Sequence, residues 1–406
     1  MYTQNTPVHI KLWHRDFLKV SASGFLLSTA VYTQVGGYVP VMQADSFTAV
    51  QMMWCVMVFV LGMLMAGGFC NYLIQRFRRN KVCGAAMAGT AAVMVLMYMQ
   101  AMDTQDTYWS IIIVFLLRLL LGACYGVAWQ TLASTLFVDI ADSFRRTQTF
   151  YAASWMLRLP LAVGPVAAIS LVMFWCPVPA EVFLLGAVLA AAAWLLLHTV
   201  TFPFKAPDEG VSVYGLDRFL LPQGMPLILS LAMFMLIIGL MLGCVHSLHF
   251  YLMLLAGMIV AVLAEQYVFM NADLRSQVVT GLILIMAALF IELVRPQRMS
   301  TYVVPLLAGI SVGIVSSRYL LFLIKLAKHC QRGTAQSSFF ISWEAGLWTG
   351  IALSIYSIGD VDIYDLMNSS MDKHPDISIA GLMLAAAALI LYCAFVHPWY
   401  MKNKNR

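Results

Sequence analysis

Apolar runs long enough to cross a bilayer follow one another from residue 17 almost to the end of this chain. A helix needs ~20 apolar residues to traverse the hydrocarbon core. Twelve such runs can be read, at about 17–41, 48–73, 82–102, 109–137, 149–175, 182–202, 226–245, 250–269, 278–294, 302–326, 334–358 and 377–396. The breaks between them are short and polar, among them QRFRRNK, MDTQDT, NADLRS and RPQRMS. Composition supports the count: 62% of the residues are hydrophobic and 11% charged. A soluble domain has roughly 45–50% apolar and ~25% charged residues, and no water-soluble core of this size needs so much apolar surface. The expectation is an all-α integral membrane protein with twelve transmembrane helices. The leading segment MYTQNTPVHIKLWHRDFLKV lacks a short apolar core followed by a small-residue cleavage site, so it does not read as a cleaved signal.

Charge placement sets the expected orientation, because cytoplasmic loops accumulate Lys and Arg. With the N-terminus inside, that side carries Lys11, Arg15, Lys19, Arg76, Arg78, Arg79, Lys81, Arg145, Arg146, Lys205, Arg218, Arg275, Lys325, Lys328, Arg332, Lys402, Lys404 and Arg406. The outer side carries Arg295, Arg298 and Lys373, the first two being a local violation. An even number of spans puts both termini in the cytoplasm, and a multi-pass location in the inner membrane is expected. The longest cytoplasmic break, 203–225, has a Pro/Gly-rich connector composition. It divides the chain into an N-terminal bundle (1–202) and a C-terminal bundle (226–406), each of six helices. Weak internal similarity follows the same division. RRTQTFYAASWMLR opens span five and QRGTAQSSFFISWEAG opens span eleven, with Ser154-Trp155 and Ser342-Trp343 at matching depth. One span earlier in each half, Arg118 and Arg318 sit inside apolar runs.

A charge near the bilayer centre costs roughly 2.5–3.5 kcal/mol on insertion scales. Arg118 in span four, Arg158 at similar depth in span five, Arg318 in span ten and Glu344 in span eleven are too deep to reach water along the helix. Such residues usually face an internal cavity and serve transport; the competing reading is an arginine that only ties helices together through backbone carbonyls. On a helical wheel Tyr125 and Trp129 fall within about 20° of Arg118. Gly122 and Gly126 lie beside that face and permit close helix approach. Ser337, Phe340 and Trp348 flank Glu344, giving aromatic and polar walls suited to an amphipathic small molecule. Glu265 and Glu292, near span ends, are expected to be solvated.

The cysteines at 55, 70, 83, 124, 176, 244, 330 and 393 have no ligand spacing, so neither a metal site nor a disulfide framework is expected. No P-loop or other nucleotide motif is visible. No cofactor, no nucleic-acid partner and no enzymatic activity are expected.

The twelve-span layout, the central break and three local motifs resemble the major facilitator superfamily of secondary transporters, in particular its drug–proton antiporter branch. In NYLIQRFRRNKV, after span two, Arg76, Arg79 and Lys81 match the family's basic gating loop. Asn71 replaces its first glycine, Gln75 its acid and Arg78 its second glycine, so the acid that normally holds the outward-open state is missing. RLLLGACYG matches the arginine-then-glycine pattern of span four, which implies a proton-transfer role for Arg118 and packing by Gly122. LPLAVGPVAA resembles the antiporter signature of span five, with Gly164 and Pro165 as the implied hinge and Pro160 and Ala168 where the family has glycines. Span one lacks the mid-span acid of many antiporters and offers Tyr32, Thr33 and Gln34 instead. The resemblance implies proton-driven export of amphipathic small molecules by alternating access, by a monomer embedded in membrane lipid with or without a periplasmic adaptor. Glu344 is then the titrating or substrate-pairing carboxylate, Arg118 its modulator, Arg158 and Arg318 further pathway residues, and Gln34 and Trp129 substrate contacts. Uptake of an anionic nutrient by proton symport and translocation of a lipid-linked substrate are the alternatives; a non-transporting receptor has the least support.

Overall fold

The computed structural model describes residues 12–44, 47–102, 107–140, 146–202, 210–269, 272–294, 298–359 and 374–404. Each expected apolar run is a helix. In chain order these are α1 (Arg15–Ala44), α2 (Ala49–Gly67), α3 (Arg79–Met102) and α4 (Thr107–Thr131, continued by a π-turn Leu132–Leu136 and a last turn Phe137–Asp139). Next come α5 (Arg146–Arg158 and Pro160–Phe174), α6 (Glu181–His198), α7 (Met225–Gly243), α8 (Leu248–Tyr267) and α9 (Leu274–Val294). The chain ends with α10 (Arg298–Leu326), α11 (Arg332–Ile358) and α12 (Pro375–Leu391, a π-turn Tyr392–Val396 and His397–Asn403). The segment between α11 and α12 is described only at its edges. Lys11, Arg145, Lys205, Arg295, Lys373 and Arg406 lie outside the described residues, as does connector segment 203–209.

Lipid cannot satisfy backbone N–H and C=O groups, so a spanning segment must bond them internally, as these helices do. Among the described residues, ten helices are long and apolar enough to cross a bilayer. The two that fall short are α1 and α11, and both turn their polar residues into protein rather than lipid. Ser21, Ser23, Ser28, Thr29, Thr33 and Gln34 of α1 are buried, as are Gln336, Ser337, Ser338, Ser342 and Glu344 of α11.

Packing repeats across the connector. In the first half α1 packs on α5 and α6, α2 on α4, and α3 on α4 and α6; in the second α7 packs on α11 and α12, α8 on α10, and α9 on α10 and α12. Each contact of one half thus has its counterpart six helices later. The halves meet along α2–α11 and along α5–α8, which are themselves counterparts. Helices in lipid associate mainly through close van der Waals packing, and glycines set two of the corresponding crossings. A side chain at Gly122 would strike the Phe59 carbonyl where α4 crosses α2, and one at Gly309 would strike the Leu254 carbonyl where α10 crosses α8.

One end of the bundle, bearing the connector and both described termini, is closed across the halves. Gly333 of α11 lies so near the Ser134 carbonyl of α4 that a side chain would not fit. The connector crosses this end: Gly215 donates to the Gly68 carbonyl at 3.0 Å, and Leu221 N–H donates to Ser338 Oγ at 2.8 Å. Tyr214 and Phe219 fill the space over Gly68 and Gly67. Arg218, at φ 55°, donates its N–H to Thr334 Oγ1 at 3.1 Å. Burial, and then the Arg79 charge beside it, push its guanidinium below the usual arginine range.

Candidate functional site

Two buried polar clusters bridge the halves. The first is assembled from α1, α2, α4 and α11. Glu344 of α11 is fully buried and accepts three hydrogen bonds. Tyr32 of α1 donates to Oε1 at 2.5 Å, Tyr125 of α4 donates to Oε1 at 3.0 Å, and Trp348 Nε1 donates to Oε2 at 2.8 Å. Tyr32 Oη in turn accepts from Trp343 Nε1 at 2.9 Å. Two tyrosines of one half thus hold a carboxylate of the other. Arg118 is also fully buried. Its Nη1 donates to Gln34 Oε1 and its Nε to the Cys55 carbonyl at 3.3 Å. Its guanidinium carbon lies 5.1 Å from the Phe59 ring centre and 5.3 Å from that of Trp348, distances at which a cation is attracted by a ring face. Trp348 therefore touches both the arginine and the carboxylate. Trp129 donates to Ser28 Oγ at 2.5 Å and stacks on Phe340, ring centres 5.4 Å apart. Phe340 also meets the Tyr125 ring at 5.6 Å. Arg118, Glu344, Gln34 and Trp129 thus belong to one buried cluster of polar and aromatic side chains.

Gly164 serves that cluster from behind, because a side chain there would strike the backbone of Tyr32 and Thr33. Pro165 follows it within the unbroken segment Pro160–Phe174. The interruption in α5 falls at Leu159, directly before Pro160, and not at the Gly164–Pro165 pair expected to form the hinge. Either proline lacks the N–H that would bond one turn back, but only Pro160 coincides with an interruption.

The second cluster is built on α5, α8 and α10. Arg158 is fully buried. Its Nη1 donates to Ser317 Oγ, to the Gly313 carbonyl at 3.1 Å and to Ser316 Oγ at 3.4 Å. Its Nη2 donates to Ser154 Oγ at 2.8 Å, and its guanidinium lies 3.6 Å from the Trp155 ring centre. Tyr151 donates to Glu265 Oε2, and Glu265 Oε1 lies 3.5 Å from Arg318 Nη2. Glu265 is 8% exposed, as is Glu292, so neither is solvated as its position near a span end suggests. Tyr151 of α5 and Arg318 of α10 contact Glu265, and α10 continues to Leu326 while α8 stops at Tyr267.

The clusters differ in depth. Gly24 of α1 lies against Met156 and Gly164 against Tyr32, so α5 follows α1 at one offset and Arg158 stands level with Leu26. Arg118 bonds Gln34, about eight residues or ~12 Å further from the connector end at 1.5 Å per residue. Arg118 and Arg158 are therefore not at similar depth. Arg318 shares the second cluster, eight residues from the end of α10 at Leu326, and is no positional twin of Arg118.

At the connector end Arg79 makes a two-pronged bond to Asp139 of α4, at 2.7 and 2.6 Å. Arg76 is exposed. Gln75, standing where the resembling family has an acid, donates to Asn71 Oδ1 at 2.7 Å. The acid that meets the basic loop is thus supplied by another helix, 60 positions downstream of Arg79.

No family model matches the sequence, and no curated protein matches it. Solved structures do match along nearly the whole chain. A point mutant of the nucleoside transporter NupG superposes with a TM-score of 0.64 at 12% identity, covering 93% of this chain and 99% of that one. A D-xylose–proton symporter gives 0.67 at 13% identity, covering 93% and 96%. A bacterial homologue of the human lysosomal transporter Spinster, in an inward-facing and unoccupied conformation, gives 0.58 at 12% identity, covering 96% of each chain. The likeness is one of fold: twelve helices in two six-helix bundles, the major facilitator fold.

Proposed function

We propose that this chain is a secondary transporter that moves an amphipathic small molecule by alternating access and exchanges it for protons at Glu344. The observation that carries the reading is the bond between halves at Glu344: a buried carboxylate of α11 held by Tyr32 of α1 and Tyr125 of α4. Hydrogen bonds to a charged acceptor are about twice as strong as neutral ones. A proton taken up by Glu344 converts the acceptor to a neutral acid and weakens the bonds that join α11 to α1 and α4. Proton occupancy is thereby linked to separation of the halves, which is the coupling that alternating access needs. Arg118, reaching the same carboxylate environment through Trp348, favours the charged state, and Gln34 fixes its direction. The stacked Trp129 and Phe340 offer the apolar wall for substrate. Since the connector end is closed across the halves, this arrangement has the cluster shut off from that side. The Lys/Arg bias of the loops supports a cytoplasmic setting for that side, and outward release of substrate across an inner membrane is part of the proposal.

The test is a proteoliposome loaded with a pH-sensitive dye and challenged with a panel of amphipathic cations, neutral dyes and organic acids under an imposed pH gradient. Export predicts substrate movement against proton flow. Substrate and protons moving together would instead establish uptake, the reading favoured by the shared fold with a proton symporter. Coupling that survives in Glu344→Gln would remove the proton assignment.

A further inference from the structure

We propose that the cluster formed by α5, α8 and α10 is an oxyanion-binding site, separate from the Glu344 cluster, that takes one carboxylate or phosphate group against Arg318 and Trp155. Charge is the first argument. Arg318 faces Glu265, and Arg158 lies over the ring of Tyr151, which donates to the same carboxylate, so two guanidiniums stand beside one described acid. Arg158 is fully buried, and the Arg318 side chain is 13% exposed. An unmatched positive charge in a protein interior is costly, and it attracts whatever anion can reach it.

Unused donors are the second argument. Arg318 Nε is buried with no hydrogen-bond partner, and Trp155 Nε1, in a side chain only 7% exposed, makes no bond of good geometry although the Tyr151 hydroxyl lies near it. Buried donors are almost always paired. The Arg318–Glu265 contact is itself loose: 3.5 Å, against about 2.7–2.9 Å for a charge-assisted bond. Arg158, in contrast, spends its N–H groups on Ser154, Gly313, Ser316 and Ser317. It contributes field and a rigid surface for the Trp155 ring, while Arg318 and Trp155 keep the free donors. That the anion belongs to the transported molecule rests on the transporter reading; the site itself does not.

The experiment is thermal unfolding of the purified full chain in detergent at constant ionic strength, with chloride as the reference anion. The probes are phosphate, acetate, 1-naphthoate and the neutral 1-naphthalenemethanol. Saturable stabilisation by an oxyanion is expected. It should vanish in Arg318→Gln and persist in Lys325→Gln, which removes an exposed cation from the same helix. Glu265→Gln should bind the anion about tenfold more tightly, because it removes a competing negative charge; a purely structural ion pair would give no such gain. If Arg318→Gln fails to fold, Trp155→Phe keeps the ring under Arg158, deletes one N–H, and should weaken binding roughly fivefold. Response to phosphate and acetate identifies a free anion as the ligand; response to naphthoate alone identifies the acidic group of a larger molecule. No response to any probe, an equal response to the neutral alcohol, or responses unchanged in both Arg318→Gln and Trp155→Phe would overturn the site. Export of a neutral dye under a pH gradient tests the transporter reading independently.

Discussion

The two buried clusters share a plan and differ in how they treat charge. In each, a glutamate of the second half accepts from tyrosine of the first: Glu344 from Tyr32 and Tyr125, Glu265 from Tyr151. In each, an arginine of the first half lies over an aromatic ring. Around Glu344 the three bonded donors are neutral hydroxyl and indole groups, so its charge can change without stranding a bonded cation. Glu265 instead faces Arg318, and Arg158 is locked into backbone and serine oxygens of α10. On the proposed reading the first cluster changes protonation, whereas the second keeps fixed charge and holds α5 against α10. Burial alone does not separate them, and a buried ionisable group is best judged by the charge state its partners require.

The largest effect expected of this contrast is on coupling. Glu344→Gln should reduce pH-driven transport to the leak of empty vesicles, while Glu265→Gln should retain a response to the pH gradient. Equal loss in both variants, measured in proteoliposomes, would erase the distinction. The next largest concerns stability. Arg158→Leu removes every bond from this guanidinium to α10 and leaves the Gly313 carbonyl and two serines without it, so unfolding should become easier by about 3 kcal/mol. Thermal or denaturant unfolding in detergent reads this directly; a loss below ~0.5 kcal/mol, the scale of an ordinary surface change, would show that Arg158 is no clamp. Third comes the order within the first cluster. Tyr32 lies at 2.5 Å from Glu344 and Tyr125 at 3.0 Å. A hydrogen bond to a charged group is worth about 1.5–3 kcal/mol, so Tyr32→Phe should slow coupled transport by roughly tenfold, and Tyr125→Phe by less. The reverse order would mean that α4, not α1, is the principal holder of the carboxylate.

Much of this architecture is legible in the residues. Each apolar run is a helix because lipid permits little else. The face shared by Arg118, Tyr125 and Trp129 follows from helical period alone, and all three belong to the first cluster. What periodicity cannot supply is the partner from a distant helix. Tyr32 and Glu344 are 312 positions apart, and nothing local to either announces the other. Glu265 reads as solvated only while distance from a helix end is equated with distance from water, whereas burial depends on how far neighbouring helices extend. The Gly-Pro pair of a known motif points to a hinge at Gly164 and Pro165, and α5 carries in addition an interruption at Leu159, before Pro160, that the motif does not announce. The missing acid of the basic loop is Asp139, which enters from α4.

The smallest expected effect is the sharpest check on the contrast. Tyr151 donates to Glu265 as Tyr32 donates to Glu344, so a sequence-level comparison would give the two hydroxyls equal weight. Their surroundings argue otherwise. Glu265 keeps Arg318 when the Tyr151 hydroxyl is gone, and Tyr151 is only half-buried, so water can replace the lost donor. Among the described residues Glu344 has only neutral donors bonded to it, and Tyr32 is fully buried. A neutral donor deleted where water or another charge can substitute costs ~1 kcal/mol or less. Tyr151→Phe should therefore lower unfolding stability by no more than that and leave the response to a pH gradient unchanged. If it impairs coupled transport as severely as Tyr32→Phe, the second carboxylate also takes part in proton exchange, and the division between a titrating cluster and a fixed one fails at its most sensitive point.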